Sequence, residues 1–179
     1  GIACMWLSDL SALIPAISLY LGKPLRTQSV YASPHRLKLY DGNGIRVLDD
    51  SYNANPDAVL YALSYAKYYS QGPLVIVLGD MQELGPDALK YHEMIIRHLQ
   101  TQSPALVILV GPLYKAAHDR LACRYQWASN AIEALALLRE YLYHHNYMRP
   151  QLINATVLIK GSRCMQLDQI VSDLIGPVV

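Results

Sequence analysis

Three polar clusters, each directly after an apolar run, carry the side chains able to do chemistry. The first is Asp49-Asp50-Ser51-Tyr52-Asn53-Ala54-Asn55-Pro56, which runs from an apolar stretch through a polar turn to a helix start. The second is Gly79-Asp80-Met81-Gln82-Glu83-Leu84-Gly85, with His92 two turns further on. The third is Lys160-Gly161-Ser162-Arg163. Acids on two segments and a cation pair on the third suit a phosphorylated or carboxylate substrate meeting a metal and an amine. A carboxylate about 4 Å from a bare phosphate charge costs roughly 4 kcal/mol at an effective dielectric near 20. Asp49 and Asp50 are therefore kept from direct phosphate contact unless a metal, water or ammonium intervenes. Neighbouring strand residues point to opposite faces, so one of the two faces a crevice, and Asp50, beside the turn, is the favoured one. Lys160 and Arg163 suit an anion, and an arginine grips it with two parallel bonds.

These clusters need a scaffold that brings them together. Apolar runs at Leu74–Leu78, Ala105–Val110 and Thr156–Ile159 each end at or near a glycine, and such runs fit strands covered on both faces. Helical patterns lie between them, at about residues 56–70, 88–100, 113–121, 131–145 and 166–174. Asn55 fits an N-cap and Pro56 the first helical position. Residues 36–40 and 44–49 flank Asp41-Gly42-Asn43 as two strands joined by a tight turn. Residues 125–127 form a further short strand. The alternation predicts an α/β fold: a Rossmann-like, doubly wound, mostly parallel sheet with an antiparallel edge hairpin. In such sheets ligands sit at the C-terminal strand ends, where all three clusters fall.

Composition narrows the function. The chain has 179 residues, 53% apolar and 16% charged, with a formal net charge of +1. That balance argues against disorder and gives no electrostatic reason for a nucleic-acid partner. Cys4, Cys123 and Cys164 form no C-x-x-C pair, which fits reduced thiols in the cytoplasm. The six histidines show no metal spacing, and adjacent His144 and His145 diverge on a helix, so no metal ligands are assigned. Neither G-x-x-x-x-G-K-[ST] nor G-x-G-x-x-G occurs, so any nucleotide phosphates are cradled mainly by polypeptide outside this sequence. Asp9 and Pro15 interrupt the apolar N-terminal stretch, which fits neither a spanning helix nor a signal peptide.

Taken in order, the strings Asp49–Pro56, Val77-Leu78-Gly79-Asp80-Met81-x-Glu83-Leu84-Gly85 with His92, and Leu158-Ile159-Lys160-Gly161-Ser162-Arg163 resemble the Mur ligases. The match covers about residues 36–175 and corresponds to the C-terminal domain of that family. The resemblance implies residues 1–24 as the tail helix of a preceding central ATPase domain, 25–35 as a linker and 36–179 as the C-terminal domain. It further implies a cytoplasmic, ATP- and Mg2+-dependent amide ligase of peptidoglycan precursor synthesis. Its partners would be a UDP-N-acetylmuramoyl-tripeptide, D-Ala-D-Ala and its own central domain, with no nucleic acid and no membrane insertion. Asp50 and Lys160 become the catalytic candidates, and Asp50, Tyr52, Asn53 and Asn55 the nucleotide contacts. Lys160, Ser162 and Arg163 become the substrate loop, with Asp80, Glu83 and His92 in support. Alone, the chain is expected to be inactive. Two other readings compete: another Mur or folylpolyglutamate-type ligase domain, and a non-catalytic α/β interaction module with merely polar loops.

Overall fold

Each apolar run forms one strand of a single six-stranded sheet. The structure is a computed structural model that describes residues 36–42, 44–145 and 155–175. The chain divides into Gly1–Ala32 and Ser33–Val179, and everything described belongs to the second unit. The expected tail helix over 1–24, the linker over 25–35 and the turn residue Asn43 lie outside the described residues.

The elements run β1 (Lys38–Gly42), β2 (Ile45–Asp50), α1 (Pro56–Tyr69), β3 (Leu74–Gly79), α2 (Ala88–Gln100), β4 (Leu106–Val110) and α3 (Pro112–Leu121). They continue with β5 (Gln126–Ala128), α4 (Ala131–His144), β6 (Ala155–Lys160) and α5 (Asp168–Ile175). The strand order is β1-β2-β6-β3-β4-β5. Only the β1–β2 pair is antiparallel, giving the expected edge hairpin on an otherwise parallel sheet.

Alternation along the strands divides the core in two. Leu48, Ile76, Leu78, Leu109 and Leu158 face α1, α2 and α3. Val47, Val75, Val77, Ile108, Val110, Val157 and Ile159 face α4 and α5. Long apolar runs are required because both faces of these strands are buried. β6 lies between β2 and β3, yet its outgoing helix α5 packs on the face opposite α1 and α2. Chains leaving adjacent strand ends for opposite faces open a crevice there.

Helix limits follow local chemistry. Asn55 caps α1 by accepting the Ala58 N–H at 2.8 Å, with Pro56 in the first turn as expected. α5 begins at Asp168 rather than Gln166, because Arg163–Met165 form a 3-10 turn and Gln166 adopts a left-handed backbone, φ +52.

Two strand ends meet without side chains between them. A Cβ at Gly161 would stand 2.8 Å from Leu167 Cδ1 and 3.0 Å from the Gly79 Cα. Gly161→Ala is therefore expected to destabilise the domain by about 1–3 kcal/mol through overpacking. Thermal denaturation should show a midpoint several degrees lower, and an unchanged midpoint would mean the β3 and β6 ends separate freely.

Candidate functional site

The β2–β6 register makes Asp50 and Lys160 direct partners, both on the α1 side of the sheet. Lys160 Nζ donates to Asp50 Oδ2 at 2.5 Å and to the Asn53 carbonyl at 2.9 Å. Lys160 is 2% exposed and Asp50 8%. The other Asp50 oxygen accepts the Leu37 N–H at 3.2 Å, where the chain enters β1. Burial pushes the Asp50 carboxyl pKa up, against the pull of Lys160 and the Leu37 amide in the opposite direction. Desolvation outweighing attraction is ordinary for a buried pair. Lys160 is thus held first by a carboxylate and a carbonyl, and it ties the Ser51–Asn55 loop to β6.

Asp49 points to the opposite face, as strand geometry requires. Fully buried, it accepts the Ser51 N–H at 3.1 Å and the Ser51 hydroxyl at 2.7 Å. The amide side chains of the loop shape backbone: Asn53 Oδ1 accepts the Ala54 N–H at 2.8 Å, and Asn55 is occupied in capping α1. Tyr52 is 45% exposed, with the Arg36 guanidinium 4.8 Å from its ring centroid. Of the expected nucleotide contacts, it is the one with an exposed aromatic ring, and Arg36 covers one of its faces.

The second and third clusters are laced together. Ser162 N–H donates to the Asp80 carbonyl at 3.1 Å, and Gln82 N–H donates to Ser162 Oγ at 2.9 Å. Asp80 is fully buried and accepts the Leu113 and Tyr114 amides at 2.9 and 2.8 Å. It caps α3 from another strand, because the preceding residue, Gly111, has no side chain to do so. Gly111 itself has φ +110, and a Cβ there would lie 2.6 Å from the Asp80 carboxylate, so only glycine fits. Sequence reasoning placed Asp80 in support without seeing this cap. A helix beginning Gly-Pro with no side-chain cap was the available signal.

His92 is also fully buried. Its Nε2 faces the Met81 N–H at 3.0 Å, and its Nδ1 faces the Ala88 carbonyl at 2.6 Å. The amide must donate, so Nε2 accepts and Nδ1 carries the proton: the ring is neutral. Asp80 Oδ1 lies 3.8 Å from Nε2, but no proton there serves an ion pair. Burial lowers the His92 pKa, opposed by the Ala88 carbonyl and Asp80. It raises that of Asp80, opposed by the two α3 amides and His92.

Arg163 and Glu83 lie at the rim. Arg163 donates to Asp168 Oδ2 at 2.9 Å, with its side chain 60% exposed. Glu83 is exposed with a left-handed backbone, φ +62, and shapes the loop by conformation. The structure therefore brings Asp50, Asn53 and Lys160 into one contact group, and Asp80, His92 and Ser162 into another. Gly161 joins the two groups along β6. Asn55 begins α1 beside them, while Tyr52 and Arg163 stay solvent-accessible.

A model of the Mur ligase glutamate ligase domain matches residues 35–163, and the chain belongs to this family. Among curated proteins it is 28% identical over 158 residues to the UDP-N-acetylmuramoyl-tripeptide–D-alanyl-D-alanine ligase of Rickettsia prowazekii, covering 84% of this chain and 33% of that protein. Among solved structures it is similar to MurF from Acinetobacter baumannii, with TM-score 0.72 and 26% identity over 89% of this chain and 35% of that one. MurF from Thermotoga maritima, solved in complex with ADP, shares the fold with TM-score 0.63 at 18% identity, covering 88% of this chain and 35% of that one. The chain spans about a third of the length of the curated relatives it matches. Among the described residues no helix is long and apolar enough to cross a membrane.

Two measurements test this geometry. Lys160→Met alone should cost about 3–5 kcal/mol in urea denaturation by stranding a buried carboxylate, and Asp50→Leu with Lys160→Met should recover most of it. A double variant as unstable as the single one would show that the pair is not a self-contained unit. For His92, the folded pKa lies below the unfolded value, so only the unfolded chain takes up the proton as pH drops below about 6.5. Its stabilising contribution is complete above that pH and declines by up to about 1.4 kcal/mol per pH unit until the folded ring also protonates. His92→Gln should remove this slope, which denaturation at pH 5 to 7.5 would reveal.

Proposed function

We propose that this chain is the C-terminal domain of a cytoplasmic, ATP-dependent amide ligase that joins D-Ala-D-Ala to UDP-N-acetylmuramoyl-tripeptide. The observation that carries this reading is that the loops after β2, β3 and β6 are hydrogen-bonded together at one end of the sheet in a Mur ligase family domain. The names of its relatives support the dipeptide as the incoming amine. In the reaction, a tripeptide carboxylate oxygen attacks the γ-phosphorus of ATP, ADP leaves, and an acyl phosphate forms. The dipeptide amine then attacks the acyl carbon, phosphate departs with the C–O bond, and the amine proton passes to solvent or base.

The chain's own residues fit the binding part of this work. The face of the Tyr52 ring turned away from Arg36 offers stacking to a base, on the loop that Lys160 holds in place. Arg163 offers free guanidinium donors to a substrate carboxylate. Gln82 fills an acceptor position on Ser162 Oγ, leaving the hydroxyl proton available to a substrate oxygen.

The carboxylates do not fit a Mg2+ site. Asp50 is taken by Lys160, Asp49 by Ser51 and Asp80 by the α3 amides, and no cluster of three metal-ligating side chains occurs among the described residues. Metal and phosphate binding fall, in this proposal, to a central domain of the intact protein.

The test is phosphate release with ATP, Mg2+, UDP-N-acetylmuramoyl-tripeptide and D-Ala-D-Ala. The intact ligase should turn over only with all components present, and this 179-residue chain alone should not. Sustained turnover by the chain alone would refute the division between domains. In the intact enzyme, Arg163→Lys should raise KM for one peptide substrate about tenfold, the loss of roughly 1.4 kcal/mol of charge-assisted bonding. Unchanged constants for both would make it a solvated surface residue.

A further inference from the structure

We infer that His92 is a positioning residue whose neutral ring, acting through the Met81–Gln82 backbone, holds the Ser162 hydroxyl ready to donate to substrate, and that its protonation releases that hydroxyl. His92 reaches no crevice atom itself. Its Nε2 accepts the Met81 N–H at 3.0 Å, and the next amide, Gln82, donates to Ser162 Oγ at 2.9 Å. Consecutive amides of one short loop thus point alternately at His92 and Ser162. The Asp80 carbonyl closes the circuit by accepting the Ser162 N–H at 3.1 Å.

The arrangement fixes the polarity of the hydroxyl. An oxygen that accepts from Gln82 turns its own proton elsewhere, and no acceptor for that proton lies among the described residues. Ser162 is 3% exposed, so the hydroxyl proton is held where bulk water scarcely competes for it. Such a donor suits a carboxylate or phosphate oxygen of the substrate.

Protonating Nε2 reverses the contact. Two donors, the new Nε2–H and the Met81 N–H, then face each other, and the loop must move. The new Nε2 proton is drawn to Asp80 Oδ1, 3.8 Å away, which already accepts the Tyr114 amide. Attraction to His92 thus competes with the cap on α3, and it pulls on the residue whose carbonyl holds Ser162. The titratable and charged groups around the ring are few. Asp80 approaches from the end of β3, and Tyr114 from α3 packs edge-on at 4.5 Å, its buried hydroxyl unpartnered. Glu93, next to His92 on α2, is engaged by Arg120 at 3.0 Å.

The chemical-shift arm of the test needs only this chain; the kinetic arm rests on the ligase reading. In amide-resolved NMR of the 179-residue chain, the Met81, Gln82 and Ser162 amides should titrate with the same midpoint as the His92 ring. In the intact ligase, KM for D-Ala-D-Ala or for UDP-N-acetylmuramoyl-tripeptide should rise severalfold as pH falls through that midpoint, with a smaller change in kcat. His92→Leu, lacking an acceptor, should raise that KM at every pH. His92→Gln, whose amide oxygen accepts the Met81 N–H without titrating, should rescue the KM and flatten its profile. If His92→Leu does not fold, the glutamine profile still decides. Amides that stay fixed while His92 titrates, or a glutamine profile that superimposes on wild type, would overturn the inference. Coupled amide shifts in a protein with no ligase activity would instead refute the functional reading.

Discussion

A lysine ammonium buried against a carboxylate at the end of a parallel sheet is the constraint on which the site depends. Lys160 and Asp50 are 110 residues apart in sequence yet stand side by side in the β2–β6 ladder. Removing two charges from water is costly, and the geometry returns that cost only if the remaining donors and acceptors are matched. Two of the three ammonium protons and both carboxylate oxygens are matched: the Asn53 carbonyl takes a second lysine proton, and the Leu37 amide serves the second carboxylate oxygen. The pair therefore orders the first loop and the incoming strand together. Its local cost is carried by the two apolar layers that cover the sheet.

Beside it, the second and third loops depend on backbone amides more than on charge. Asp80 works as a helix cap, His92 as an acceptor and Ser162 as a bridge. Each is buried, and each satisfies a main-chain group that would otherwise be orphaned, as buried polar groups must be. Exposed on the same loops are Tyr52, Asn53, Asn55, Gln82, Glu83 and Arg163. Buried residues that fix the loops beside accessible ones at their surface are what the proposed half-site requires.

Much of this was legible in the sequence, for identifiable reasons. Strands covered on both faces leave uninterrupted runs such as Leu74–Leu78, and Asn55-Pro56 marks the start of α1 to the residue. Strand alternation separated Asp50 from Asp49 before any coordinates. The partners were not legible. That Lys160 would meet Asp50 rather than an anion depends on the register of two strands brought together by the whole fold. The Asp80 cap spans 33 residues and needs β3 and β4 aligned. The tautomer of His92 depends on an amide from a different element. Local pattern reports a residue's own backbone state; it carries no information on which distant group fills its hydrogen-bonding capacity.

The way the chain enters the domain has a mechanical consequence. Leu37 has a left-handed backbone, φ +47, and its amide is fastened to Asp50, while Arg36 lies over Tyr52. The first two described residues therefore sit against the buried carboxylate and the exposed tyrosine, so the entry to the domain and the first loop share their contacts. The Leu37 bond thus clamps the start of β1, ahead of its ladder with β2, to the lysine's counter-charge.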